Sequence, residues 1–166
     1  MTEVPPFRPR PWRTPLRPEW VDYNGHLRDA YYALLASGAV DDLMEQVGLD
    51  RAYREASGGT LYTLEMHVHY LQEVQGSDEV TAVTRPLAAD AKRLHVRCEI
   101  HSSRLEGPAA VVEMLLLHVQ QRPSPRSAPL PEEVASRLRS WLAASPLPDD
   151  TYYSRVIGLR RPSSGA

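Results

Sequence analysis

The segment RDAYYALLASGAVDDLMEQV, residues 28–47, decides the fold. Tyr32, Ala36, Val40, Leu43 and Val47 recur at the spacing of one helical face, while Asp41, Asp42, Glu45 and Gln46 fall mostly elsewhere. The pattern predicts one long helix, with Gly48 as a plausible stop. Ala33, Ala36, Ser37, Gly38 and Ala39 make its middle slender. Glycine inside a helix costs about 1 kcal/mol against alanine. A tight approach of that helix to a sheet accounts for Gly38.

Working outward, a short second helix is expected over 50–56, closed by Gly58 and Gly59, followed by four strand-like runs. Residues 61–72 alternate Tyr62, Leu64, Met66, Val68 and Tyr70 against Thr63, Glu65, His67 and His69. Residues 79–87 are β-rich and are predicted to stop near Pro86. Residues 92–102 alternate Leu94, Val96, Cys98 and Ile100 against Arg93, His95, Arg97, Glu99 and His101. Period two marks half-buried strands. Residues 109–120 are nearly all apolar, as in a central strand covered on both faces. A loop over 123–129 leads to an amphipathic helix over 131–144, with Val134, Leu138, Trp141 and Leu142 on one side. Upstream, residues 13–20 can extend, but Pro15 and Pro18 lack N–H donors, so this is an edge strand. The expected class is α+β: a curved antiparallel sheet wrapped around one long helix, plus a C-terminal helix. Residues 1–11 read as a flexible arm, 12–145 as the domain and 146–166 as a tail. Such a sheet leaves edges and a face to cover, so a dimer or a multiple of it is expected.

At 166 residues the chain suits one domain with a real core. Its formal charge of −2 suggests no nucleic-acid partner. No apolar run approaches the ~20 residues of a membrane span, and the proline- and arginine-rich start lacks the apolar stretch of a signal peptide. The one cysteine, Cys98, excludes a disulfide framework within the chain, and the cytoplasm is the expected compartment.

Chemistry concentrates in Asp22-Tyr23-Asn24-Gly25-His26, just before the long helix. Helix starts leave backbone N–H groups free, with partial positive charge behind them. Such a corner can hold a developing oxyanion while Asp22 handles an attacking water. The bland alternative is that Asp22 or Asn24 caps the helix. The Gly25 backbone can approach a ligand closely.

The spacing Asp-x-x-Gly-His, then Leu27, two polar residues and Tyr31, resembles the hotdog-fold acyl-CoA thioesterases of the 4-hydroxybenzoyl-CoA type. One branch is closer. Residues 18–26 (PEWVDYNGH), Tyr62-Thr63-Leu64-Glu65 with Tyr70-Leu71, and Lys92-Arg93-Leu94-His95 resemble the betainyl-CoA thioesterases, which are associated with or fused to carnitine dehydrogenase. The resemblance departs at Arg28-Asp29, where Asn-Asn or Asn-Asp is usual. It implies the hotdog fold, thioester hydrolysis of a small acyl-CoA, a homodimer or homotetramer with sites shared between subunits, and no cofactor or metal. It implies Asp22 as base or nucleophile, Asn24 on the thioester oxygen or the water, and His26 organising the turn. Glu65 would favour a trimethylammonium acyl group together with the aromatic faces of Trp20, Tyr23, Tyr31 and Tyr62. The alternative for Glu65 is a solvated surface carboxylate. Lys92 and Arg93 could hold the phosphates of coenzyme A, or could be a solvated turn. Glu113 and His118, inside an apolar strand, read as a structural pair.

Three rival readings stand beside this one. His67-x-His69-x-x-x-Glu73 resembles the first metal motif of cupins, with His118 as the missing ligand. A hotdog module could bind acyl-CoA without turnover, and a hotdog hydratase would need a differently spaced Asp/His pair.

Overall fold

The computed structural model describes residues 5–147 and 152. Its elements follow the chain as β1 (Trp12–Pro15), a 3₁₀ turn (Pro18–Trp20), α1 (Asp29–Val47), α2 (Arg51–Ser57), β2 (Gly59–Tyr70), β3 (Glu79–Ala89), β4 (Arg93–Ser102), β5 (Ala110–Gln120), β6 (Arg126–Ser127) and α3 (Glu132–Ala143). The strands form one antiparallel sheet in the order β1-β3-β4-β5-β2, with β6 added to β5. The sheet wraps α1, which is the hotdog arrangement.

The predicted helical face is the buried one. Tyr32, Ala36, Val40, Leu43 and Val47 are buried, joined by Leu35, Ala39 and Met44. They meet Leu94, Val96, Cys98 and Ile100 of β4 and Ala110, Val112, Met114 and Leu116 of β5 in one core. Each fully buried leucine contributes about 1.5–3 kcal/mol. Gly38 is explained by Trp12: a Cβ on Gly38 would lie 2.7 Å from the indole. Gly48 ends α1 at φ 103°, in the left-handed region. Residues 5–11 lie on the body, where the Phe7 N–H donates to Ser140 Oγ and the Phe7 ring meets Trp141 edge-on.

Four expectations need correction. The upstream strand ends at Pro15, and Pro18–Trp20 is a 3₁₀ turn with proline at its start. β3 runs through Pro86 instead of stopping there. β1 covers only residues 79–82 of β3, so Pro86 loses no ladder bond on that side. The loop after β5 contains the short strand β6. In β2 the alternation reverses, because a bulge at Leu64 leaves that residue unpaired between Thr63↔Leu116 and Glu65↔Leu115. One extra residue flips every later side chain to the other face. Leu61 before the bulge and Met66 and Val68 after it pack on the core. Tyr62, Leu64 and Tyr70 are exposed. Glu65, His67 and His69 pair with Leu115, Glu113 and Val111, on the sheet face away from α1.

That outer face is polar yet covered. Arg97, Glu99 and Glu113 are buried there. Glu99 takes Arg97 and Arg85 at 3.0 and 2.9 Å, and Glu113 takes His95 at 2.6 Å. His118 bonds Tyr53 and the Ala128 carbonyl. Glu113 and His118 are therefore both structural, but not as a pair with each other. The expected tail, residues 146–166, lies mostly outside the described residues. Within them, the Tyr152 ring rests 5.6 Å from His69.

Candidate active site

The Asp22 loop closes before the helix begins. Val21 and Leu27 form an antiparallel bridge, and the Asp22 N–H donates to the His26 carbonyl at 2.8 Å. Inside this tight turn Asp22 Oδ1 accepts the N–H groups of Asn24 at 2.8 Å and His26 at 3.0 Å. Gly25 holds φ 82°, and its N–H donates to the Asp22 carbonyl. Asp22 thus caps its own turn and not α1, whose cap residue Arg28 makes no side-chain cap bond. The loop is docked on the turn between β2 and β3 by Leu27 N–H to the Val74 carbonyl and Gly76 N–H to the Gly25 carbonyl.

This accounting corrects the oxyanion expectation. The N–H groups of residues 24–27 are all spent on Asp22 and Val74. Asn24 lines the cleft, and its carboxamide is a further donor on the loop. Asp22 keeps Oδ2 free of hydrogen bonds among the described residues. The His26 N–H outweighs the opposing desolvation and, with smaller help from the Asn24 N–H, holds the Asp22 carboxyl below its usual range. Donors to the charged oxygen favour that form, so Asp22 is anionic at neutral pH.

A cleft of about 340 Å³ opens beside the loop, lined by Asp22, Asn24, His26, Asp29, Tyr32, Tyr70 and Glu73 among others. The structure thus brings Asp22, Asn24 and His26 together, with Gly25 shaping the turn. It does not bring in the remaining expected residues. Tyr23 is 95% exposed. Tyr31 stacks on Trp20, whose other neighbour is the Arg17 guanidinium. Tyr62 and Glu65 lie on β2 before and after its bulge, facing away from the core. Lys92 and Arg93 sit at the β3–β4 hairpin, at the other end of the sheet from the Asp22 loop. There Arg93 is committed to Asp90 through a two-nitrogen contact, which holds the Asp90 carboxyl at about 2. Among the described residues Lys92 Nζ reaches Ser127 alone, at 3.5 Å.

The cupin-like set does not converge either. His67 pairs in register with Glu113, whereas Glu73 lies past the end of β2 and meets His26 at 3.4 Å. Among the described residues no group of three or more His, Cys, Asp or Glu is arranged to hold a metal. Sequence reasoning missed Asp29, Tyr32, Tyr70 and Glu73 as neighbours of Asp22. The signal for Tyr70 was its place in the strand motif. Tyr32 was hidden by its place on the core face.

Comparison with known proteins adds three findings. Residues 16–138 match the thioesterase-like superfamily. The chain is 44% identical over 151 residues to the betainyl-CoA thioesterase of Pseudomonas aeruginosa, covering 89% of this chain and 93% of that protein. It is 34% identical over 126 residues to the L-carnitine dehydrogenase/betainyl-CoA thioesterase of Rhizobium meliloti, covering 76% of this chain but 25% of that longer protein. Among solved structures, a candidate thioesterase from Pseudomonas putida superposes with a TM-score of 0.77 at 37% identity, covering 96% of this chain and all of that one. A Staphylococcus aureus protein in complex with CoA superposes at 0.84 with 24% identity, covering 96% and 100% of the two chains, and shows the shared fold.

Proposed function

The chain belongs to the thioesterase-like superfamily and is an acyl-CoA thioester hydrolase; from that premise we propose that its substrate is betainyl-CoA, cleaved to betaine and free coenzyme A at the Asp22 cleft. The observation that carries this reading is the 44% identity across nearly the full length of both chains. Asp22 takes a proton from water through its free Oδ2. The hydroxyl adds to the thioester carbon, and the Asn24 carboxamide donates to the oxygen that gains charge. The C–S bond then breaks and the coenzyme A sulfur leaves, taking up a proton. His26 orders the turn through its backbone and tethers Glu73 at the cleft wall. Fused relatives that carry an L-carnitine dehydrogenase support a place for this hydrolase in carnitine breakdown.

The proposed assembly rests on β2. Among the described residues this strand pairs with β5 alone, and it exposes Tyr62, Leu64 and Tyr70 along an open edge. An open apolar edge is a template for a second strand. A second copy pairing antiparallel along β2 brings the Tyr62 and Lys92 end of one subunit toward the Asp22 end of the other. In that arrangement Lys92 is a cation for a coenzyme A phosphate, since Arg93 is held by Asp90. Glu65, on the outer face, stays outside the cleft.

The test is a panel of acyl-CoAs with free thiol as readout, run on protein whose mass in solution is read by light scattering. The expectation is betainyl-CoA as the preferred substrate and a dimer or a multiple of it. Faster turnover of neutral acyl-CoAs of similar size would reject the substrate assignment. A monomer would reject the shared site.

A further inference from the structure

A betainyl group is very short. Its nitrogen is separated from the carbonyl carbon by one methylene, so the two atoms lie roughly 2.5 Å apart by ordinary bond geometry. Whatever reads the trimethylammonium must therefore stand in the same cleft as Asp22. Within one subunit Glu65 fails that requirement, since it lies five residues along β2 from Tyr70, roughly 16 Å at a strand's rise, and on the sheet face away from the cleft's Tyr32 and Tyr70. The Trp20–Tyr31 stack fails it too, because a guanidinium already sits 5.2 Å from the Trp20 ring.

The cleft itself supplies what a quaternary ammonium needs. Its floor is the Tyr32 ring, 4% exposed, with Tyr70 packed edge-on at 5.3 Å and 88°. The Tyr70 hydroxyl donates to the Asp29 carbonyl at 3.1 Å, which fixes the ring against the start of α1. Glu73 stands at the rim, held by His26 at 3.4 Å. Among the described residues no lysine or arginine lines this cleft. A trimethylammonium cannot donate hydrogen bonds, so it is read by aromatic faces and by net negative charge.

We infer that Tyr32, Tyr70 and Glu73 form the subsite that reads the acyl group's trimethylammonium and sets the preference for a cationic substrate. This inference rests on the substrate assignment above. The experiment compares betainyl-CoA with 3,3-dimethylbutanoyl-CoA, in which carbon replaces the charged nitrogen at nearly equal shape. The quantity read is the ratio of the two kcat/KM values in the wild type, Tyr70→Leu, Tyr70→Phe and Glu73→Gln. Comparing this ratio between variants cancels the greater intrinsic reactivity of the betainyl thioester.

Tyr70→Leu and Glu73→Gln should each lower the ratio, by about tenfold for the ring, while Tyr70→Phe retains most of it. Both side chains are largely exposed in the single chain, so the fold should survive; circular dichroism checks the fold, and light scattering checks that Tyr70→Leu keeps the assembly proposed along β2. If the wild type prefers the cationic substrate and the variants keep that preference, the subsite is wrong and the function stands. If the wild type shows no cationic preference, the substrate assignment itself fails.

Discussion

Replacing Asp22 by asparagine and by alanine separates catalysis from architecture. Oδ1 of Asp22 accepts two backbone N–H groups, from Asn24 at 2.8 Å and His26 at 3.0 Å. Asparagine offers a carbonyl oxygen in the same place, so Asp22→Asn keeps the turn and removes the charge and the proton-accepting Oδ2. Asp22→Ala removes both. Loss of a positioned base costs on the order of 10²–10⁴ in rate, so Asp22→Asn should lose about a thousandfold in kcat/KM at an unchanged unfolding midpoint. The assay is release of the coenzyme A thiol, followed with a thiol reagent. The pH profile tests the same carboxylate. The His26 and Asn24 N–H groups lower its pKa from 3.8. The charged form persists until pH falls through that lowered value, so the acid limb of kcat/KM that Asp22 controls should lie below 3.8. Wild-type turnover by Asp22→Asn, with Asp22→Ala inactive, would show that Asp22 only builds the turn.

Three further outcomes follow from packing. Gly38→Ala places a Cβ 2.7 Å from Trp12. Overpacking of about 1–3 kcal/mol against a helix-propensity gain of about 1 kcal/mol leaves a net loss, and stability at or above wild type in urea unfolding would contradict the contact. Gly76→Ala places a Cβ 2.8 Å from Val21, beside the Asp22 loop; kcat should fall severalfold with the core intact, and unchanged kcat would mean that the loop tolerates the shift. Cys98 is buried, and loss of solvation pushes its thiol up to about 12. Native protein should thus give no background with the thiol reagent and one equivalent per chain once unfolded.

The fold was legible wherever one local pattern had a single solution. The Tyr32–Val47 face follows from periodicity and matches the burial observed, and Gly48 ends α1 in the left-handed region. The β4 alternation picks out the core residues Leu94, Val96, Cys98 and Ile100, but Arg97 and Glu99 on the other face are buried as well. It was less legible where distant partners decide. Pro86 stays in β3 because β1 is too short to oppose it. The phase of β2 depends on a bulge that no turn residue announces. Glu65 stays in phase with His67 and His69 after the bulge, so its reading as a site residue comes from the strand motif's resemblance and not from the alternation.

The site divides in the same way. Asp22, Asn24, Gly25 and His26 lie within one turn, so their convergence needs only local geometry. The remaining cleft wall comes from the start of α1 and the end of β2, joined through Tyr70 to Asp29 and His26 to Glu73. Both contacts span more than forty residues and exist only because β2 lies along the sheet that wraps α1. On the proposed reading, the chemistry of hydrolysis lies in a contiguous motif, whereas the chemistry that selects the acyl group depends on the fold. On this argument, substitutions in the Asp22 turn should depress all thioester substrates alike, and substitutions at Tyr70 and Glu73 should redistribute them.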